Sequence, residues 1–338
     1  MSDRISFIIP NHNGGADIRK CLEAVFASDY GNFEAVVVDD CSDDNSVEII
    51  RSFPCKLIVF EKHGGASKAR NTGAANADGK ILFFIDSDCI PNKDALSIVS
   101  KAMAEKGTGF VVGGTYTREP DDKGFFSRFQ SVFINYSETK NIDNADYIAS
   151  HAMAIEAEAF KVSGGFPEDF MPIIEDVEFS HRLRRAGLKL VTNPDILVQH
   201  VFNLSFAGSI RNAYKKSKYW TIYSLKNKDL FADSGTASLE LKVNTASSFF
   251  SINTLLAYAF FQETFILTLL PFIFAANIIV NRNLFKAYYE TGGFVYSALA
   301  AMYYMLVYPL AVGTGALDGM IRAGAMGAES LAGMIKTD

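Results

Sequence analysis

KILFFIDSD, residues 80–88, runs five apolar residues into two aspartates around a serine. A short run that is apolar throughout, without alternation, fits a strand covered on both faces. Its end carries Asp86 and Asp88. Extended residues two apart face the same side, so both carboxylates share one. Carboxylates so placed raise each other's pKa unless a cation compensates. The strand therefore predicts an α/β sheet, and its end predicts a site.

The same grammar recurs on either side. ISFIIP (5–10), FEAVVVDD (33–40), KLIVFEK (56–62) and FVVGGTYT (110–117) read as strands. Between them IRKCLEAVFAS, SVEIIRSF, ASKARNTGAANA and DALSIVSKAMAEKG read as helices. Apolar strands separated by helices imply a mostly parallel sheet covered on both faces. Ligands of such sheets bind beyond the carboxyl ends of the strands. Those ends are Pro10–Asn13, Asp39–Cys41, Glu61–Gly65 and Asp86–Asp88. Further on, KGFFSRFQSVFINYSE (123–138) suits an amphipathic helix and EDVEFSHRLRRAG (175–187) a helix closed by Gly187. LKLVTNPDILVQH (188–200) reads as strand, turn, strand.

The totals narrow the class. With 338 residues the chain holds one large or two modest domains, and a net charge of −6 disfavours a nucleic-acid-binding protein. Four cysteines, with no CxxC pair, fit a reduced compartment. GxGxxG and GxxxxGK[ST] are both absent, which argues against a nicotinamide oxidoreductase and a P-loop NTPase. MSDRISFIIP is not a signal peptide, since its apolar run stops at Pro10.

Each polar cluster has a plain reading beside a chemical one. DSD alone is commonly an Asx-turn. At the end of a buried strand, a Mg2+ or Mn2+ ion bridging a diphosphate would balance it. Asp39 and Asp40 could accept from a ribose hydroxyl or base N–H, or merely precede a helix cap. Gly64 and Gly65 permit close approach to a ligand, and Arg70 could hold a diphosphate or order the acidic loop. Glu175 and Asp176 open a helix, where acids are often simple caps, yet Asp176 could take a proton from an acceptor hydroxyl. His200, at a strand end, is a candidate metal ligand.

The C-terminal part changes character. RNAYKKSKYWTIYSLKNK (211–228) holds six Lys or Arg and no acid, interleaved with aromatics, which suits a lipid headgroup layer. Residues 249–280 contain one ionisable residue, Glu263, and residues 294–317 none until the end of the stretch. Both exceed or approach the roughly 20 residues that cross a bilayer. The first is either one tilted span or an interfacial segment ending near Gln262 with a shorter span after it. The expected division is a catalytic domain at 1–210, a basic and aromatic linker at 211–248, two spans within 249–317 and a short tail at 318–338. The lysine and arginine bias places the catalytic domain in the cytoplasm, on the cell inner membrane.

Together ISFIIPNHNG, FEAVVVDDCSDD, GGASKARNTGAANADG, FFIDSD and GGFPEDFMPIIEDVEFSHRLRRAG resemble the family-2 glycosyltransferases of GT-A fold, over about 200 residues. The resemblance implies inverting transfer from a UDP-, GDP- or dTDP-sugar to a glycan or lipid-linked acceptor. It implies that Pro10, Asn11, Asn13, Asp39, Asp40, Arg70 and Asp86 bind the nucleotide sugar. Asp88 and His200 would hold Mn2+ or Mg2+. Gly165, Phe166 and Glu175 would lie on the acceptor side, with Asp176 as general base. Membrane lipids are expected partners, and a homo-oligomer is left open. The usual VVDDGSTD stands here as VVDDCSDD, and no QxxRW follows the ED motif, which disfavours a processive synthase. A polyprenyl-phosphate sugar synthase is the first alternative, though its anionic acceptor needs no such base. A sugar nucleotidyltransferase is the second.

Overall fold

The computed structural model describes residues 3–169, 171 and 173–325. They form two compact units: residues 3–123 with 138–203, and residues 124–137 with 204–325.

The first unit is an eight-stranded sheet with helices around it. In chain order its elements are β1 (Ile5–Asn11), α1 (Ile18–Phe26), β2 (Phe33–Asp39), α2 (Ser46–Arg51), β3 (Lys56–Val59), α3 (Ala66–Ala75), β4 (Ile81–Phe84), β5 (Cys89–Pro91), α4 (Ala95–Lys106) and β6 (Phe110–Tyr116). After α5 (Phe125–Thr139) come β7 (Met153–Glu156), α6 (Ala157–Val162), α7 (Glu175–Arg185) and β8 (Lys189–His200). Of α5, only Glu138 and Thr139 belong to this unit.

The strand order is β3-β2-β1-β4-β7-β6-β8-β5. The first four strands are parallel, as their unbroken apolar runs predict. Register sets Asn11 beside Asp39 and Ile8 beside Phe84, so three strand ends open on one edge. The small residues of α3 have a packing reason. A Cβ on Gly73 would lie 2.6 Å from Cγ2 of Ile8, so glycine lets this helix settle onto the sheet. Ile8, Val38, Phe84, Phe160, Phe166 and Phe179 belong to the core beneath it.

Two features depart from the sequence reading. β7 enters antiparallel between β4 and β6, a direction that apolar patterning does not encode. Residues 189–200 form one strand rather than two. The expected turn at Asn193–Asp195 is absorbed as a register shift opposite Gly113–Thr115. Gly114 permits this, since a Cβ there would lie 2.4 Å from the Ile196 carbonyl oxygen. β5 was not foreseen, and it pairs Cys89 with His200.

The second unit is helical: most of α5, then α8 (Phe206–Asn227), α9 (Leu239–Phe261), α10 (Leu269–Met302) and α11 (Tyr308–Ala325). Residues 211–228 lie mostly in helix α8, which Ser205 caps by accepting from the Gly208 N–H. Its Lys218 is buried and pairs with Asp318 at 3.5 Å. α11 lies close to α8 because Cβ atoms on Gly315 and Gly319 would fall 2.4 and 2.6 Å from the carbonyl oxygens of Tyr214 and Lys218. Small residues at such contacts let helix backbones approach.

The apolar run 249–280 is broken at Gln262, whose φ of 59° ends α9. Residues 281–292 continue α10 to a sharp turn at Gly293, where φ is 72°. A polar ladder fastens these helices. Asn281 donates to Asn277, Asn277 to Asn244, and Asn244 to the Tyr304 carbonyl, at 2.7–2.9 Å. Buried amides satisfied in this way specify register, whereas a half-satisfied set would cost stability. Among the described residues one helical stretch, Thr264–Ala325, is long and apolar enough to cross a membrane. Only 11 % of its most apolar window is buried, unlike the core helix of a soluble protein. Of the expected tail, residues 318–325 continue α11, and 326–338 lie outside the described residues.

Candidate active site

The site is assembled on the open edge of the first unit. Asn11 ends β1 and donates through Nδ2 to Asp39 Oδ1 at 2.7 Å. Asp39 also accepts from the N–H and hydroxyl of Ser42, at 3.0 and 2.7 Å. It is wholly buried. Through these bonds it braces the 40–44 loop. Asn13 ties the same loops, its N–H on Ser42 Oγ and its Oδ1 on the Asp43 N–H. Pro10 is buried within β1.

Asp40 has turned to the neighbouring loop. It accepts from the Gly64 and Gly65 amides at 2.6 and 2.8 Å and faces His63 Nδ1 at 2.9 Å. Three donors thus share its two oxygens, and of these the His63 side chain is the exposed one. His12 lies against the His63 ring, 4.6 Å between centroids, and contacts the Asp40 carbonyl oxygen. These two histidines form the rim of the crevice.

Cys41 has φ 60°, a left-handed conformation that favours glycine. A side chain there costs roughly 1–2 kcal/mol, part of which a glycine's looser unfolded chain gives back. Cys41→Gly is therefore expected to stabilise the protein by up to about 1 kcal/mol, read as a rise in melting temperature. A lower melting temperature would refute the strain.

Arg70 is the centre of the acidic cluster. It is 4 % exposed, carried on α3, and forks between Asp86 Oδ1 at 2.7 Å and Glu175 Oε1 at 2.8 Å. Its guanidinium lies 5.4 Å from the Phe166 ring centre. Burial alone would raise the Asp86 carboxyl, but the charge and hydrogen bond of Arg70, joined by His151 and His200, together hold the group below its ordinary range. Asp88 lacks such a partner. Burial, then the charge of Asp86, push its carboxyl up to about 7.

Asp88 Oδ2 faces His200 Nε2 at 3.5 Å, a pair created by the β5–β8 ladder. The ligand atoms of Asp88, Cys89 and His200 all lie within 4.8 Å of one another. Carboxylate and imidazole fit Mn2+ or Mg2+, and a cation beside two aspartates would relieve their repulsion. Cys89 suits these cations less, since a soft sulfur is a poor ligand for a hard cation that prefers oxygen. A cation held by only two side chains takes its remaining ligands from water or substrate phosphates.

Asp176 sits in the first turn of α7. Its carboxylate accepts from the Val177 N–H at 2.9 Å and the Ser150 N–H at 3.3 Å. Burial, then the adjacent Glu175 charge, raise it to about 6, against the opposing pull of Arg70. Ile174, just before the helix, has φ 67°. For a β-branched residue this is strain on the order of 1–3 kcal/mol, stored where the two acids are aimed. The loop carrying Gly165 and Phe166 is clamped to α3 by Asn71, which exchanges 2.8 Å hydrogen bonds with the Phe166 backbone. The Phe166 ring is buried against Phe84 and Phe179. Its side chain belongs to the core, so Phe166 holds the loop through packing. Gly165, at φ 68°, leaves room for Asn71.

The sequence reading missed one group. His151 is buried, stacks on Tyr116 at 3.9 Å, and faces Glu138 at 3.4 Å, which in turn accepts from Thr115. Burial would lower this imidazole, but Glu138, then Asp86 and Asp176, raise it. A lone histidine carries no signal in sequence. The contacts that give it meaning join α5, β6 and the turn before β7.

Comparison with known proteins places this geometry. Residues 6–162 match the family described as Glycosyl transferase family 2. The chain is 28 % identical over 203 residues to Glycosyltransferase AglE of Haloferax volcanii, covering 58 % of this chain and 66 % of that protein. It is 32 % identical over 131 residues to Glycosyltransferase GlyG of Streptococcus pneumoniae, covering 37 % and 44 %. The chain thus spans less than two thirds of either relative. Among solved structures, the mannosyltransferase PcManGT of Pyrobaculum calidifontis matches with a TM-score of 0.56 at 18 % identity, over 96 % of this chain and 87 % of that one. The first unit is a GT-A-type α/β fold, and the chain carries a family-2 glycosyltransferase domain.

Proposed function

We propose that the chain transfers a sugar, with inversion, from a nucleotide-sugar donor to a hydroxyl of a glycan or lipid-linked acceptor, at a membrane and with a divalent cation. One observation carries the reading: Arg70 joins the Asp86 side of the site to Glu175, beside an Asp176 poised near 6. A group with that pKa is mostly ionised at neutral pH and still basic enough to take a hydroxyl proton. Arg70 steadies both carboxylates and supplies fixed positive charge. Asp88 and His200 hold the cation, which when bound supplies charge neutralisation to the departing nucleoside diphosphate. PcManGT is described in complex with GDP-Man and Mn2+, which supports that pairing of donor and metal. The apolar second unit supports attachment to the inner membrane, with the basic α8 favouring a cytoplasmic site.

The test is a screen of UDP-, GDP- and dTDP-sugars on detergent-purified full-length protein, reading free nucleoside diphosphate and transferred sugar. Pyrophosphate release instead would indicate a nucleotidyltransferase. In the same assay Asp88→Asn should raise the Mn2+ concentration for half-activation by at least about tenfold, since even indirect partners of metal ligands are worth that much. An unchanged metal titration would remove Asp88 from the metal site.

A further inference from the structure

The second unit contains a cavity of about 350 Å3 between α8, α9, α11 and the chain before α9. That is the size of a small-molecule pocket. Trp220, Phe231, Phe249, Leu317 and Met320 make its walls largely apolar. No carboxylate is among its described lining residues, whereas Lys216 and Lys242 both are. The Lys242 ammonium also donates to the Ala232 carbonyl. Gln130 lines the cavity too. It is 1 % exposed, and its Oε1 meets no hydrogen-bond partner. Leaving such a group unsatisfied costs roughly 1–3 kcal/mol, so the wall is built for something polar as well as apolar. Around it the surface is itself apolar: Phe231 is 84 % exposed and Phe250, one residue beyond Phe249, 66 %.

We propose that this cavity binds a phosphate-bearing membrane lipid, with an apolar chain along Trp220 and Phe249 and the phosphate at Lys216 and Lys242. The proposal rests on the reading that the second unit lies in a membrane. A wholly apolar guest would leave the Gln130 carbonyl unsatisfied. A free phosphate would leave the aromatic walls without one. A lipid ester or hydroxyl near Gln130 satisfies the buried amide, which can turn to present either its oxygen or its NH2.

Trp220 is the only tryptophan in the chain, so its fluorescence reports this cavity alone. Full-length protein is reconstituted in phosphatidylcholine liposomes and floated. Doxyl-labelled phosphatidic acid or doxyl-labelled phosphatidylcholine is then titrated in at equal mole fraction. Phosphatidic acid should half-quench Trp220 at a several-fold lower mole fraction. Lys216→Gln with Lys242→Gln should bring the two curves together. Ala246→Phe, which fills the cavity from α9, should also erase the difference. Equal quenching by both lipids in the native protein would overturn the proposal. So would absence of quenching. Protein that does not float overturns the membrane reading and this proposal together. Sugar transfer is not measured, so the donor screen stands or falls separately.

Discussion

Asp176→Asn should lower transfer by about a thousandfold, within the range of general-base loss, while donor affinity by calorimetry stays unchanged. The amide keeps the shape and can still accept from the Ser150 or Val177 N–H, but it cannot take a proton. In the native protein kcat/KM should rise tenfold per pH unit below about 6 and level above it, following ionisation of this carboxyl. The variant should lose that limb. Stability should move the other way. The folded pKa lies above the ordinary value of 3.8, so the folded state binds more protons than the unfolded one between those values. Stability from this group is therefore present at low pH and lost as pH rises through about 6. A neutral side chain removes that loss. At pH 8 the variant should gain about 2 kcal/mol, less than the full shift implies because the group is partly exposed. Equal loss of donor binding and transfer would place Asp176 in the donor site instead.

That combination depends on geometry only partly written in the sequence. The crevice edge was legible because buried parallel strands leave continuous apolar runs, and their polar ends fall together once the strands align. Asp86 and Asp88 were read from such an end, and Arg70 from the helix that follows Gly64 and Gly65. The pair Asp39–Asp40 was harder. Successive strand residues point to opposite sides, yet both acids found protein donors, from Asn11 and Ser42 for one and from Gly64 and Gly65 for the other. No single-sequence signal states that a neighbouring loop will supply those amides. His151 and Glu138 lie thirteen residues apart in chain and meet only because β7 runs antiparallel. Ile174 was unreadable for another reason: a β-branched residue is the last that propensity would place at positive φ. In the second unit, composition marked the apolar stretches, but the asparagine ladder depends on which helix faces meet.

Arg70→Met should be the most damaging single change to the fold of the first unit. The methionine keeps much of the packing on Phe166 but removes the cation that Asp86 and Glu175 share, and their side chains are 32 % and 18 % exposed. Removing one member of a buried pair costs about 3–5 kcal/mol, because the charges left behind stay desolvated. With solvent reaching Asp86, about 3 kcal/mol is expected at pH 8. The pH dependence identifies the cause. In the native protein Asp86 is held below its ordinary range, so its contribution is present above the unfolded value and lost as pH falls through the folded one. Without Arg70, burial and the neighbouring carboxylates raise Asp86 instead, and the folded state takes up protons. The variant's deficit should therefore shrink as pH falls from 8 to 5, while native stability changes little over that interval from this group. Arg70→Lys, which restores charge but cannot fork to two carboxylates in fixed geometry, should recover part of the deficit. Melting temperatures of native and variant protein at pH 5 and pH 8 decide the matter. A deficit of equal size at both pH values would mean that Arg70 acts through packing alone, and that the acidic cluster tolerates its own charge.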